Sequence, residues 1–409
     1  MKKILSTLLV AVLTTIVIAQ EEEKKPFKVD IHGFVGVNAF FDSRQSATAR
    51  NGNIYLWPLA PSHDDAGNDL NSENKFDIDA AYSRFNVGIS GPEVFGAKSF
   101  AFMEGDFLGT SGSRDLNFRL RHAFIRLNWE KTSLLMGQYW HPLFVTENFP
   151  STVNLSCGVP FHPLNRQPMV RFGYQVTSNI ELIAFLMSQN DFADKGMSGA
   201  MENSLSPETT IQAKYKNENG IFASLTAGFK SFRPELKDPN DNLITNELAQ
   251  ATYFAGSFKK KFNSFTFKAE GLYGGGMTNQ VMLGGFAEKN NGSTQRQYTP
   301  VQTMSVWTDI HTNHQKIQPG LFAGYTQNMG AKDKANYLAQ YTLGGGIKEM
   351  YTVAPRLVFF ATPKIYFGIE WMYTVAAHGE AGQFDEYAQP INTTNYANNR
   401  ITLSTRYIF

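Results

Sequence analysis

The side chains with the greatest chemical reach in this chain are nine bases: Arg84, Arg126, Arg171, Lys214, Lys230, Lys268, Arg356, Arg400 and Arg406. Four acids, Asp30, Glu270, Asp309 and Glu370, stand in similar settings. Polar and apolar residues alternate around most of them, so pleated strands would place them on one surface. An arginine offers a planar fork of donors that meets two oxygens of a carboxylate or phosphate at once. A surface of such forks suits small anions. Other clusters lack what their chemistry needs. Gly274–Gly276 and Gly344–Gly346 are followed by no G-K-[ST] and no helix, and read as strand bends. His311 and His314 have no third ligand at usable spacing, so no metal site is expected. Asp238–Asn246 has neither the Gly nor the Glu of an EF-hand loop. No Ser–His pair within reach across neighbouring strands is evident, so neither an enzyme nor a cofactor is expected. Lys plus Arg number 37 against 36 Asp plus Glu, a balance that implies no nucleic-acid partner.

The bases act together only if regular elements hold them on one side. Period-two alternation bounded by turn signals marks strands at 28–42, 77–90, 97–108, 117–130, 133–140, 169–176, 180–189, 207–217, 220–232, 248–261, 264–276, 301–312, 317–329, 347–361, 363–377 and 399–409. The links near 130–133, 177–180, 217–220, 262–264, 313–316 and 361–363 are very short. They alternate with long ones at 43–76, 109–116, 141–168, 190–206, 233–247, 277–300, 330–346 and 378–398. That rhythm belongs to a barrel with short periplasmic turns and longer external loops. The fold expected is all-β, a transmembrane antiparallel β-barrel of about sixteen strands over 28–409, closed so that no edge is left in lipid. In the strand near 363–377, Ile365, Phe367, Ile369, Trp371, Tyr373 and Val375 share a lipid face, and Tyr366, Gly368, Glu370 and Thr374 face the lumen. Trp129, Tyr215 and Tyr407 suit the interfacial girdles.

By the same parity all nine bases line the pore, with Glu270 and Glu370 among the acids. Like-signed charge in a narrow channel concentrates opposite ions, so small anionic solutes are the expected cargo and neutral ones would also pass. Residues 141–168 are the candidate constriction loop. They hold Pro142, Pro150, Pro160, Pro163 and Pro168 with Phe144, Phe149 and Phe161 and few charges, a composition suited to packing inside the barrel.

Lys2 and Lys3, the uncharged stretch Ile4–Ile18, and Val17 and Ala19 at a cleavage site read as a secretory signal over 1–19. Residues 20–27 would form a short periplasmic segment. The single cysteine, Cys157, fits an exported protein. At the other end Ile401, Leu403, Thr405, Tyr407 and Phe409 alternate with polar residues, like the last strand read by the machinery that inserts outer-membrane barrels. The expected place is the bacterial outer membrane, among its lipids.

One stretch resembles a known family. Within residues 80–142, Ser83–Gly88 (S-R-F-x-V-G), Glu104–Phe107 (E-G-D-F), Arg119–Phe124 (R-L-R-H-A-F) and Leu135–Trp140 (L-x-G-Q-x-W) are similar to the DcaP-like trimeric porins. The resemblance implies a sixteen-stranded barrel, a homotrimer, and passage of anions such as dicarboxylates. A hairpin closing near Gly112 sets Glu104 opposite Arg121 and Asp106 opposite Arg119. Phe100, Phe102, Ala123, Ile125, Leu127 and Trp129 would continue the same face, apolar below and doubly charged above. Such a face implies an oligomer interface or charge ladder, covered by another protomer or a folded loop. The alternative is a bulge that swings the charges into the lumen. The reading is a passive pore for small hydrophilic solutes; an adhesin or receptor barrel and a membrane-embedded hydrolase are its rivals.

Overall fold

A computed structural model describes residues 27–109, 116–196 and 199–409. The signal at 1–19, the segment before Phe27 and the turn at Gly112 lie outside the described residues. Sixteen antiparallel strands form the wall. They are β1 (Lys28–Asp42), β2 (Lys75–Asp79 and Arg84–Val94, two halves of one strand), β3 (Ala97–Gly109), β4 (Asn117–Asn128), β5 (Thr132–Trp140), β6 (Arg166–Gln175), β7 (Ile180–Met187) and β8 (Glu208–Lys216). The second half of the ring is β9 (Ile221–Phe232), β10 (Ala249–Lys261), β11 (Phe265–Gly275), β12 (Tyr298–Thr312), β13 (Ile317–Ala331), β14 (Ile347–Thr362), β15 (Ile365–His378) and β16 (Thr394–Ile408). Each pairs with its neighbours in sequence. β16 closes on β1 from Phe34↔Ile408 to Asp42↔Arg400, and Gly33 and Phe409 exchange two further main-chain hydrogen bonds. Closure gives every wall strand two partners, which hydrocarbon demands.

Alternation decides the two faces. Val35, Phe85, Ile125, Phe172, Leu225, Phe254, Ile369 and Leu403 are exposed on the outside, where lipid would cover them. Their neighbours Gly36, Phe124, Thr226, Glu370 and Thr402 point inward and are buried. Tyr215 and Tyr407 are exposed near the short-turn end.

Two irregularities re-aim side chains. β2 breaks at Ala80–Ser83, which turns Tyr82 into the barrel. β4 bulges: Glu104 lies opposite His122 while Gly105 lies opposite Leu120, leaving Arg121 as the extra residue. A bulge switches which parity faces inward. Above it Arg119 and Arg121 point into the lumen; below it His122, Phe124 and Arg126 do. Of the readings for Glu104, Asp106, Arg119 and Arg121, an outward oligomer interface or charge ladder under another protomer or a folded loop gives way to the alternative, a bulge that swings the charges into the lumen. The predicted partners do meet, but inside the barrel. Phe100 and Phe102 face inward as well, whereas Ile125 faces outward and Ala123 and Leu127 share its parity.

The lumen is not an empty tube. The segment between β5 and β6, residues 141–165, folds inward with turns but no strand or helix. The first long link also enters, as a hairpin of Ser46–Ala49 and Ile54–Pro58. Gly276, at φ 61 beyond β11, starts the short 3-10 turn Met277–Gln280, which enters too. Their apolar side chains, Ile54, Tyr55, Trp57, Phe144, Phe161, Leu164 and Leu283, pack on inward Trp307, Phe322, Met350, Ala354, Met372 and Ala376. The hydrophobic core therefore lies inside the barrel, between the loops and the β12–β15 wall.

The two ends differ in chemistry and length, so single cysteines should report the orientation. In a Cys157→Ser background, cysteine at exposed Asn240 or Asn290 should react with an impermeant thiol reagent on intact cells. Cysteine at Asn219, on a short turn, should react only after the outer membrane is opened. Labelling of Asn219 in intact cells would invert the assignment.

Candidate pore and its arginine wall

The inserted loop sweeps along one side of the wall, and wall side chains satisfy its main chain. Gln212 donates to the Pro142 carbonyl at 2.8 Å, Lys268 to the Phe149 carbonyl at 2.9 Å, and Ser305 to the Phe161 carbonyl at 2.7 Å. In the other direction, Glu370 accepts from the Val153 and Asn154 amides at 2.9 and 3.2 Å, and Asp309 from Ser151 at 3.3 Å. Two histidines of the loop meet buried wall carboxylates, His141 with Glu208 at 2.9 Å and His162 with Glu270 at 3.0 Å. Glu147 pairs with Lys214 at 2.9 Å. Although burial opposes its charge, Lys214 and neighbouring donors hold the Glu147 carboxyl below its ordinary range.

These contacts divide the residues expected to line the pore. All eleven point inward, but four are sealed beneath inserted chain and a fifth, Arg356, is buried against the wall, rather than facing open space. Lys230, 1 % exposed, binds Asp194 at 2.6 Å and Asn279 at 2.8 Å. Arg400 is forked onto Asp42 at 2.8 and 2.9 Å under Tyr55. Arg356 pairs with Asp309, while Glu270 and Glu370 anchor the loop as above. Lys214 and Lys268 also hold the loop, from less buried positions. The pore-lining expectation is corrected for Lys230, Arg400, Glu270 and Glu370, because loops from elsewhere in the chain cover them, and for buried Arg356, because Asp309 of the wall takes it up. Arg126 and Arg171 border a space of about 300 Å³ near the short turns, with Glu130 and Glu181. His311, set aside as a metal ligand, contacts Asp309 at 3.1 Å.

Opposite the loop a gap remains. It is a cavity of about 660 Å³ lined by Arg84, Arg119, Arg121, Arg166 and Arg406. Trp140, Phe144 and Phe149 border it from the other side. Among the described residues, no carboxylate lines it. Acids hold the arginines from behind: Arg119 grips Asp106 through two bonds at 2.9 and 3.0 Å, and Arg121 reaches Glu104 at 2.7 Å and Asp106 at 3.1 Å. Arg406 relies instead on aromatic faces, lying 4.5 Å from the Tyr82 ring and 4.8 Å from Tyr366. Arg166 sits 4.5 Å over Trp140. Such stacking positions a guanidinium without using up its N–H donors. Strand parity identified Arg84 and Arg406 for this wall and placed Arg119 and Arg121 on the wrong face. It missed Arg166, at the start of β6, for which alternation supplied no signal.

A closed sixteen-stranded wall, long loops at one end and a loop folded across the lumen define the architecture of a porin-type barrel. Among solved structures, the chain is similar to the outer-membrane channel DcaP of Acinetobacter baumannii (16 % identity, 96 % of this chain and 100 % of that one, TM-score 0.69). It is also similar to an anion-selective porin from Comamonas acidovorans (9 %, 94 % and 100 %, TM-score 0.58). A third similar structure is the trimer form of the outer-membrane protein OmpT of Vibrio cholerae (10 %, 94 % and 100 %, TM-score 0.57). At these identities the likeness is one of fold, and it agrees with the resemblance carried by residues 80–142. No family model matches the chain, and no curated protein matches it by sequence.

The buried anchors should matter for stability. Lys230→Met leaves Asp194 charged and unpaired in the interior, at a cost of about 3–5 kcal/mol. The heat-induced mobility shift of the folded barrel in detergent electrophoresis should then occur at a lower temperature. Adding Asp194→Leu should restore most of the loss; equal instability of both variants would refute the pairing argument.

Proposed function

We propose that this chain is an outer-membrane pore for passive diffusion of small anions, with carboxylates, dicarboxylates among them, favoured over neutral solutes. The observation that carries this reading is the cavity beside the inserted loop, bordered, among the described residues, by five arginines and no carboxylate. Residues 141–165 act as its constriction, and solutes pass between them and the wall formed by β16, β1, β2 and β4. Fixed guanidiniums raise the local concentration of anions and speed their access. Their surplus donors give a carboxylate passing contacts while the aromatic side supplies little to hold it, which suits binding weak enough to release. The anion selectivity of the Comamonas porin supports the sign of the preference, and the trimer form of OmpT supports assembly as a homotrimer. The chain reaches the membrane with its signal removed and is inserted by the barrel-assembly machinery.

Planar-bilayer recording under a salt gradient tests the reading. Anions should pass more readily than cations, and Arg406→Ala combined with Arg84→Ala should lower that preference several-fold. The preference should weaken as salt rises, since the screening length falls from about 10 Å at 0.1 M to about 3 Å at 1 M. A wild-type pore that favours cations at low salt would overturn it.

A further inference from the structure

The upper end of the arginine wall already holds a carboxylate of the protein's own. Asp191 lies on the long link between β7 and β8, and its side chain is 3 % exposed. One oxygen accepts from Arg50 at 2.8 Å and from Arg119 at 3.3 Å; the other accepts from Arg166 at 2.5 Å. The three guanidiniums come from separate elements: the turn of the first inserted hairpin, β4, and the start of β6. They surround both oxygens of a planar carboxylate, the geometry that a free carboxylate needs. Burial opposes ionisation, but Arg166, Arg119 and Arg50 together hold the Asp191 carboxyl below its ordinary range. The contact therefore persists above the usual Asp pKa and is lost only as pH falls through the depressed value.

Asp191 differs from the other acids of the cluster in what carries it. Glu104 and Asp106 project from β3, whose hydrogen-bonded ladder fixes them. Asp191 is at the tip of a small loop. Its base is pinned by Gln189 on Asp194, at 2.7 and 2.9 Å, and by Lys230 on Asp194. For the carboxylate to leave, the tip must also release the bond that Asn190 donates to Gln138 at 2.8 Å and the two bonds between Phe192 and Asn165 at 2.9 and 3.3 Å. The guanidiniums also hold more donors than their partners accept. Each carries five N–H groups, and the buried Nε of Arg50, Arg84 and Arg166 have no acceptor among the described residues. Without Asp191, the acids that the guanidiniums of Arg50, Arg84, Arg119, Arg121 and Arg166 meet among the described residues are Glu104 and Asp106.

We propose that Arg50, Arg119 and Arg166 form a carboxylate-binding subsite that Asp191 fills at rest, and that a carboxylate solute binds there by displacing Asp191. This rests on the anion-pore reading. A carboxylate tethered on a short loop competes at an effective concentration of at least roughly millimolar. The subsite thus fills only when solute is abundant and empties when it is not. The tethered carboxylate also neutralises the arginines between passages, which keeps them from retaining the solute.

Single-channel recording of the full-length wild type and Asp191→Asn, with succinate and acetate as probes, tests the proposal. In the wild type succinate should reduce the chloride current at millimolar concentration. In Asp191→Asn half-reduction should need at least tenfold less, and the chloride-to-potassium permeability ratio should rise. Amide exchange within 189–193 of the wild type should accelerate on adding succinate, a readout that needs no variant to fold. If the wild type responds to succinate but Asp191→Asn responds at the same or a higher concentration, the subsite is wrong and the anion pore stands. Amide exchange that is unchanged or slowed in a succinate-responsive wild type likewise removes the subsite and leaves the pore. If neither protein responds and the wild type shows no anion preference, the pore reading falls and the subsite with it.

Discussion

An irregular segment of chain can lie inside a barrel only if its amides and carbonyls find partners there. That requirement governs this molecule. Residues 141–165 form no ladder of their own, so the wall supplies what a ladder would: Gln212, Lys268 and Ser305 as donors, Asp309 and Glu370 as acceptors. Charged residues that a water-filled channel would leave solvated are thereby committed to holding protein in place. Removing one partner from such a buried arrangement exposes the full desolvation cost of the other. The loop and the wall facing it are one folded unit.

The gap left over is electrostatically one-sided because the loop consumes the charges of only one part of the ring. β8, β10, β11, β12 and β15 spend polar side chains on the loop, and apolar Trp307, Phe322, Met350 and Met372 complete that packing. β2, β4, β6 and β16 face the remaining space with guanidiniums. Glu104 and Asp106 sit behind Arg119 and Arg121, which stiffens them without placing a carboxylate on the cavity surface. Aromatic rings at Phe34, Tyr82, Trp140 and Tyr366 shape the rest. Rigid bases whose donors are only partly used interact with a passing anion at little reorganisation cost, the condition under which selectivity and rapid release coexist.

Two departures from regular strand geometry make this arrangement possible. The break in β2 brings Tyr82 inward beside Arg84 and Arg406. The bulge at Arg121 allows β4 to present Arg119 and Arg121 above and Phe124 and Arg126 below, two sets of opposite parity, on the same inner face. In a strict strand one of these sets would face lipid, where a charge near the midplane costs about 2–4 kcal/mol. The sequence R-L-R-H-A-F already contains the conflict, and one extra residue resolves it.

The strands themselves were legible, because a wall between lipid and lumen imposes a period of two that any single segment displays. β1 runs over the predicted 28–42, and the alternation of short and long links set the topology without any knowledge of contacts. The inward direction of Arg84, Lys268, Glu370 and Arg406 followed from the same local rule. Two things did not. Parity is a count along one strand, and it fails wherever a bulge adds a residue, as at Arg121. Whether an inward charge meets solute or protein depends on chain far away in sequence: Glu370 is covered by Val153 and Asn154, Arg400 by the hairpin at Tyr55, and Arg166 is met by Asp191. Sequence alone determined a closed, alternating wall rich in inward bases. Tertiary structure decided which of those bases remain available, because loop insertion is a long-range packing event with no periodicity to announce it.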